Sequence, residues 1–133
     1  MALNYTKEVM DHFLNPRNIG TIENPDAYTE VGNPICGDVL SMYLKVKNVD
    51  GKKIIENLKF LSFGCASNIS TASILTTEVI GKTLEEAKKF SFKEVINKLG
   101  GLPSQKIHCS ILAVKALQDV IKKYENSLKN KLS

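Results

Sequence analysis

Apolar and polar positions alternate in two ways along this chain, and the change between them divides it. Leu40, Met42, Leu44 and Val46 interleave with Ser41, Tyr43, Lys45 and Lys47, the period-two pattern of a half-buried strand. Asp50-Gly51 supplies a hairpin turn, and Ile54 to Phe63 reads as the returning strand. Its alternation slips between Phe60 and Leu61, where a bulge or a change of burial is expected. After Cys65 the spacing becomes helical: Ile69, Ala72, Leu75 or Thr76, and Val79 recur on one face, and Gly81 stops the run. Thr83 with Glu86 and Ser91 with Glu94 form capping-box patterns, each opening a short helix, the second ending at Gly100-Gly101. The last helix, from about Cys109 to Asn126, carries the stripe Ala113, Ala116 or Leu117, Val120, Tyr124 and Leu128. At the other end, Asn4 is placed to cap a helix from about Tyr5 to Leu14, ended by Asn15-Pro16. Residues 16–34 hold Asn-Pro, Ile-Gly and Glu-Asn-Pro-Asp and read as turns and extended chain. The order of helix, strands, then helices predicts an α+β fold, an antiparallel sheet covered by helices.

Length and composition narrow the class. The 133 residues suit one domain over 1–133 with one hydrophobic core, and 43% hydrophobic with 24% charged content is that of an ordinary globule. No apolar run approaches the roughly 20 residues that span a bilayer, so no membrane span is expected. Met1-Ala-Leu-Asn-Tyr5 lacks a basic segment followed by an apolar one, so a cytoplasmic location is the default. The net charge is +4, with Lys115, Lys122, Lys123, Lys129 and Lys131 gathered near the C-terminus. These read as a solvated helix face or, more sharply, as a docking surface for an acidic protein. No aromatics interleave with them, so nucleic acid is not an expected partner.

The chemistry lies in three cysteines. They occupy three separate motifs: Gly-Asn-Pro-Ile-Cys36-Gly-Asp38, Phe-Gly64-Cys65-Ala-Ser, and Lys106-Ile-His108-Cys109-Ser. An odd count in a chain large enough to fold without staples argues against a disulfide framework. Three thiolates with one harder donor make a soft-metal cage that can hold iron, an iron–sulfur cluster or zinc, and can let go. Cys36 and Asp38, two apart in extended chain, point to one side. A carboxylate is a harder, more exchangeable ligand than a thiolate, so Asp38 makes the site labile. Cys65 lies at a strand-to-helix junction, where helix N–H groups favour thiolate. Cys109 at the start of the last helix is expected to gain the same benefit, with Lys106 adding positive charge, which makes it a candidate nucleophile as well as a ligand. His108 beside it fits metal sharing better than a catalytic dyad. His12 has no partner in sequence and reads as structural or surface. The spacings are not those of a zinc finger, which would show paired cysteines two to four apart.

In combination and order these segments resemble the IscU/NifU family of iron–sulfur cluster assembly scaffolds. The resemblance extends over nearly the whole chain, from Tyr5 and the His12-Phe-Leu-Asn-Pro-Arg-Asn18-Ile-Gly20 run through GNPICGD and FGCASNISTAS to LPSQKIHCS, which ends at Ser110. It implies a three-stranded antiparallel sheet with helices on one face and the ligand loops at one end. It also implies a non-enzymatic carrier, on which iron and persulfide sulfur from a cysteine desulfurase of the IscS/NifS type become a [2Fe–2S] cluster for apo-protein recipients. Ferredoxin and a frataxin-like protein are the implied helpers. Carried over by position, Cys36, Cys65 and Cys109 are cluster ligands and Asp38 or His108 completes the site. Cys109 is the persulfide acceptor, Asp38 serves iron entry and cluster release, and Lys106 tunes the charge. Tyr5 matches a family tyrosine linked to dimer formation, so monomer and homodimer both stay open. The family's Hsc-type chaperone reads Leu-Pro-Pro-Val-Lys; here Leu102-Pro103-Ser104-Gln105-Lys106 differs at two of five positions, so chaperone docking through this segment is not expected. NifU proteins carry further C-terminal cluster domains; with the sequence ending at Ser133, the scaffold domain alone is expected. The competing reading is a SufU-type zinc-dependent sulfur acceptor of a desulfurase. Those proteins usually have an insertion before the last cysteine and lack the adjacent histidine, whereas this chain has His108 and no obvious insertion between Gly81 and Gly101. A structural zinc protein ranks third.

Overall fold

A computed structural model describes residues 5–32 and 37–132. The first helix, α1, spans Lys7–Leu14 and is capped by Thr6, whose hydroxyl accepts from the Val9 N–H. The expected cap, Asn4, lies outside the described residues, and the helix opens two residues later than Tyr5. The Thr6 hydroxyl also donates to the Leu99 carbonyl, which ties α1 to a residue 93 positions further along the chain. Asn15 ends the helix as expected, its N–H reaching the Asp11 carbonyl.

Three strands form one antiparallel sheet in the order β1-β2-β3: β1 is Ala27–Gly32, β2 Val39–Val49 and β3 Lys52–Phe63. The hairpin turn at Asp50-Gly51 has φ of 53° and 82°, the left-handed pair that a two-residue hairpin turn requires. The register shift is not at Phe60/Leu61. Lys45 faces Asn57 and Val46 faces Ile55, so Glu56 is the extra residue. The Val46 N–H donates to the Asp26 carboxylate at 2.8 Å, so a side chain satisfies the backbone at the disturbed ladder. After the bulge, even-numbered Leu58 and Phe60 face the core in place of the odd-numbered pattern at Ile55.

One face of the sheet carries Leu40, Met42, Leu44, Leu58 and Phe60, all fully buried, under the helices. Against it pack α2 (Ala66–Val79) and α5 (Ile107–Leu132). Helix α2 is buried nearly all round although rich in Ser and Thr. Small side chains let its neighbours approach, and its hydroxyls pin them: Ser70 donates to the Val9 carbonyl of α1 at 2.7 Å and Thr71 to the Cys109 carbonyl of α5 at 3.3 Å. Two short helices close the bottom, α3 (Leu84–Lys88) and α4 (Phe92–Lys98). The Thr83–Glu86 capping box is complete; at Ser91 the hydroxyl accepts from the Glu94 N–H. Helix α5 begins at Ile107 after a 3₁₀ turn at Ser104–Lys106, two residues before the expected start, and runs six residues past the expected end. No helix among the described residues is long and apolar enough to cross a membrane.

Candidate metal centre

Pairing in the β2–β3 hairpin brings the first ligand segment to the second. Val39 at the start of β2 faces Phe63 at the end of β3, so Asp38 and Gly64, the next residue outward on each, meet at the same sheet end. The approach is close enough to demand glycine: a Cβ on Gly64 would sit 2.7 Å from the Asp38 carboxyl carbon and 2.8 Å from the Asn68 amide nitrogen. The chain then turns into α2 with Cys65 as its N-cap residue, and α5 brings His108 and Cys109 to the same end.

The donors converge. The Cys65 sulfur is 3.8 Å from the Cys109 sulfur, and each sulfur is 3.7 Å from Asp38 Oδ2. His108 Nε2 is 3.5 Å from the Cys109 sulfur. The ligand atoms of Asp38, His108 and Cys109 all lie within 4.8 Å of one another. Tetrahedral bonds of about 2.3 Å to sulfur and about 2.0 Å to nitrogen or oxygen put sulfurs about 3.8 Å apart and a sulfur about 3.5 Å from a lighter donor. Each of the four contacts thus has the separation of two ligands on one tetrahedral soft ion, with Asp38 and Cys109 common to the pairs. Asp38 and Cys109 are buried, while Cys65 and His108 are partly open to solvent. Cys36 lies outside the described residues.

The thiols do not share the same electrostatics. Cys65 and Cys109 titrate as a pair. The first proton leaves a thiolate at Cys65, pulled down to about 5 chiefly by the hydrogen bond from Cys109; the Asn68 backbone N–H and Lys106 assist against the opposing effects of burial and Asp38. The second is held on Cys109, whose pKa is raised by the same hydrogen bond, by burial and by the Cys65 charge. The depressed Cys109 pKa expected from its helix position is therefore corrected: a helix-terminus effect is outweighed by the neighbouring Cys65 thiolate and by the burial of Cys109 itself. Lys106 stands where its charge matters, its own pKa raised chiefly by the Cys65 thiolate. Tyr5 is also at the site, its phenol raised first by burial and then by Cys65. His12 is elsewhere, buried on α1 with Nδ1 2.7 Å from the Ser73 hydroxyl, as a structural histidine.

Two neighbours escaped the reading of the sequence. Ser67 and Asn68, in the first turn of α2, are fully buried, and Ser67 Oγ and Asn68 Oδ1 make no hydrogen bond of normal geometry among the described residues. Ser67 lies near enough to the Cys109 sulfur to favour its thiolate, against the larger effects of Cys65 and burial. A serine and an asparagine two and three residues after a helix-capping cysteine were the available signal.

Comparison with known proteins gives the family and the fold. Residues 4–131 match the family described as NifU-like N terminal domain. The chain is 50% identical over 120 residues to iron-sulfur cluster assembly scaffold protein IscU 1 of Archaeoglobus fulgidus, covering 90% of this chain and 76% of that protein. It is 42% identical over 124 residues to scaffold protein IscU of Aquifex aeolicus, covering 93% and 78%. The crystal structure of a putative iron-sulfur cluster assembly scaffold protein for the SUF system from Fervidobacterium islandicum superposes with a TM-score of 0.69 at 25% identity, covering 88% of this chain and 96% of that one. The three-stranded antiparallel sheet with its helices agrees with these likenesses, and the chain belongs to the NifU-like N-terminal domain family.

Proposed function

We infer that this protein is a scaffold that receives iron and sulfur, holds them as a [2Fe–2S] cluster, and passes the cluster to apo-proteins. The observation that carries this reading is the mixed cage of Asp38, Cys65 and Cys109 with His108 alongside, at ligand spacing and partly open to solvent. Thiolates supply affinity for iron, and the carboxylate supplies exchange. Cys36, two residues before Asp38, is the third thiolate in this reading. Either Asp38 or His108 completes the set. The relatives named as assembly scaffolds support the same role.

Iron and cluster are cargo here, and the chain is a carrier without turnover of its own. Sulfur comes from a cysteine desulfurase of the IscS/NifS type. A thiolate of this chain attacks the outer sulfur of the desulfurase persulfide; a new S–S bond forms, the old one breaks and the desulfurase thiolate leaves. Cys109 is the acceptor in this reading. Its side chain is fully buried and its thiol keeps its proton beside Cys65, so the desulfurase must open the site, and the Cys109 proton must pass to the Cys65 thiolate, before Cys109 attacks. Two electrons, one from each of two reduced ferredoxin molecules, then break the persulfide S–S bond, releasing sulfide and restoring the Cys109 thiolate. A frataxin-like protein is the proposed regulator of iron or sulfur delivery. Lys106 holds the anionic charge of the site, and Asp38 governs iron entry and cluster release.

A second reading is a zinc-dependent sulfur acceptor of the desulfurase. The ligand spacing favours it equally, since Zn²⁺ takes the same tetrahedral donors. Anaerobic reconstitution separates the two. Apo-protein, desulfurase, cysteine, ferrous iron and reductant are mixed and followed by visible absorption and Mössbauer spectra. A [2Fe–2S] signature that moves to an apo-ferredoxin is expected. No cluster, together with tight zinc and faster desulfurase turnover, would replace the scaffold with the zinc reading.

A further inference from the structure

On the solvent side of α5, opposite its core stripe, Ile111, Lys115, Gln118 and Lys122 follow at intervals of four, three and four and so share one face. Ile111 is 48% exposed, although the large apolar side chains between Leu112 and Leu128 on this helix are buried or half-buried. It borders a depression of about 410 Å³ where the α3–α4 connection meets α5, floored by Phe90, Phe92 and Val114 and edged by Lys89 and Lys115. A second depression of about 210 Å³ adjoins it through Lys115 and Gln118 and reaches Lys122. From Ile111 to Lys122 the furrow runs about 16 Å at the helical rise, room for about five residues of extended chain.

Its charge is one-sided. Asp119 in the furrow is engaged by the Thr29 hydroxyl and by Lys123. Lys88 at the edge is held by Glu125 at 2.6 Å and Glu85 at 3.3 Å. Lys89, Lys115 and Lys122 make no ion pair among the described residues. The furrow therefore combines a desolvatable apolar floor at one end with three free ammonium groups along it.

We propose that this furrow docks an acidic segment of a partner protein that carries an aliphatic or aromatic anchor. The anchor covers Ile111 and lies on Phe90 and Phe92; the carboxylates pair with Lys89, Lys115 and Lys122. Apolar burial supplies affinity, and the lysines supply steering and register. The surface is separate from the ligand cage but shares α5 with it, since Ile111 follows Cys109 by two residues.

The test uses the full metal-free chain and a fluorescent peptide, acetyl-Glu-Glu-Leu-Glu-Glu-Phe-Glu-Glu-amide. The expected result is binding that weakens with salt and shifts amide resonances of Phe90, Ile111 and Lys115 in two-dimensional NMR. Lys89→Glu with Lys115→Glu should weaken it at least about tenfold, and so should Ile111→Ser. The milder Lys89→Gln with Lys115→Gln pair should fall between. An all-Glu peptide should bind at least about tenfold more weakly than the anchored one. No binding at millimolar peptide, unchanged affinity in the charge and Ile111 variants with unaltered thermal unfolding, equal binding of the all-Glu peptide, shifts confined to another face, or tighter binding of a single-stranded oligonucleotide would each overturn the proposal.

Discussion

The Cys109 sulfur and the Asp38 carboxylate are 71 residues apart in sequence and 3.7 Å apart in space. Neither the strand nor the helix that carries them makes that contact locally. It exists because the β2–β3 register places Asp38 beside Gly64, while α2 and α5 pack side by side on the sheet and present Cys65 and Cys109 to the same end. A hard and a soft donor are thereby held at one point, and how long cargo stays depends on their balance.

Asp38→Ala tests that balance. The carboxylate contacts both sulfurs, and its loss leaves a softer, less exchangeable site. A reconstituted cluster should survive chelator challenge severalfold longer, read as decay of visible absorbance. A shorter lifetime would show that Asp38 acts as a retaining ligand.

Gly64→Ala tests the close approach. A methyl group 2.7 Å from the Asp38 carboxyl must displace it or the first turn of α2. The expected costs are about 1–3 kcal/mol of stability and about 10–100-fold in zinc affinity. Urea unfolding and competition with a chromophoric chelator measure the two separately. Wild-type affinity in the variant would mean that the carboxylate position is unimportant for metal.

The proton shared by Cys65 and Cys109 predicts unequal thiols. Cys65 is partly exposed and its pKa is down near 5, whereas Cys109 is buried and its pKa is raised. At pH 7 in metal-free protein, iodoacetamide should modify Cys65 at least about tenfold faster than Cys109. The Cys65 rate should hold as pH falls to about 6 and drop below about 5, as the thiolate is lost. Mass mapping of each cysteine peptide gives both rates; faster labelling at Cys109 would contradict the assignment.

His12 predicts a pH dependence remote from the metal. Its pKa is lowered, first by burial and then by Arg17, with Asp11 opposing. Ser73 Oγ accepts from the Arg17 N–H at 2.9 Å and lies 2.7 Å from Nδ1, where its own hydrogen is available to a neutral ring. The unfolded chain takes up the proton near pH 6.5, before the folded one does. The His12 contribution is thus complete above that pH and is lost as pH falls through the folded value. Urea midpoints of wild type should fall between pH 7.5 and 5, and His12→Gln should flatten part of that fall. An unchanged slope in the variant would assign the pH dependence elsewhere.

Periodicity and motif spacing alone determined the two long strands, the hairpin turn and the helices after Cys65, because each rests on residues a few positions apart. A two-residue side-chain period, a left-handed turn at Asp50-Gly51 and a helix begun at a threonine hydroxyl are local facts of backbone and side chain. Strand β1 was legible only as extended chain, since of its six residues Thr29 alone is buried and the pairing with β2 holds it in place. The bulge at Glu56 showed as a slipped alternation, but its position depends on which strand residue the partner chooses and on Asp26 reaching Val46. Tertiary packing alone decided which thiol carries the charge, why residue 64 has no side chain, and that Ser67 ends buried against Cys109. Those outcomes are set by distances between segments 27 to 71 residues apart, where burial and neighbouring charge override what a helix end does by itself.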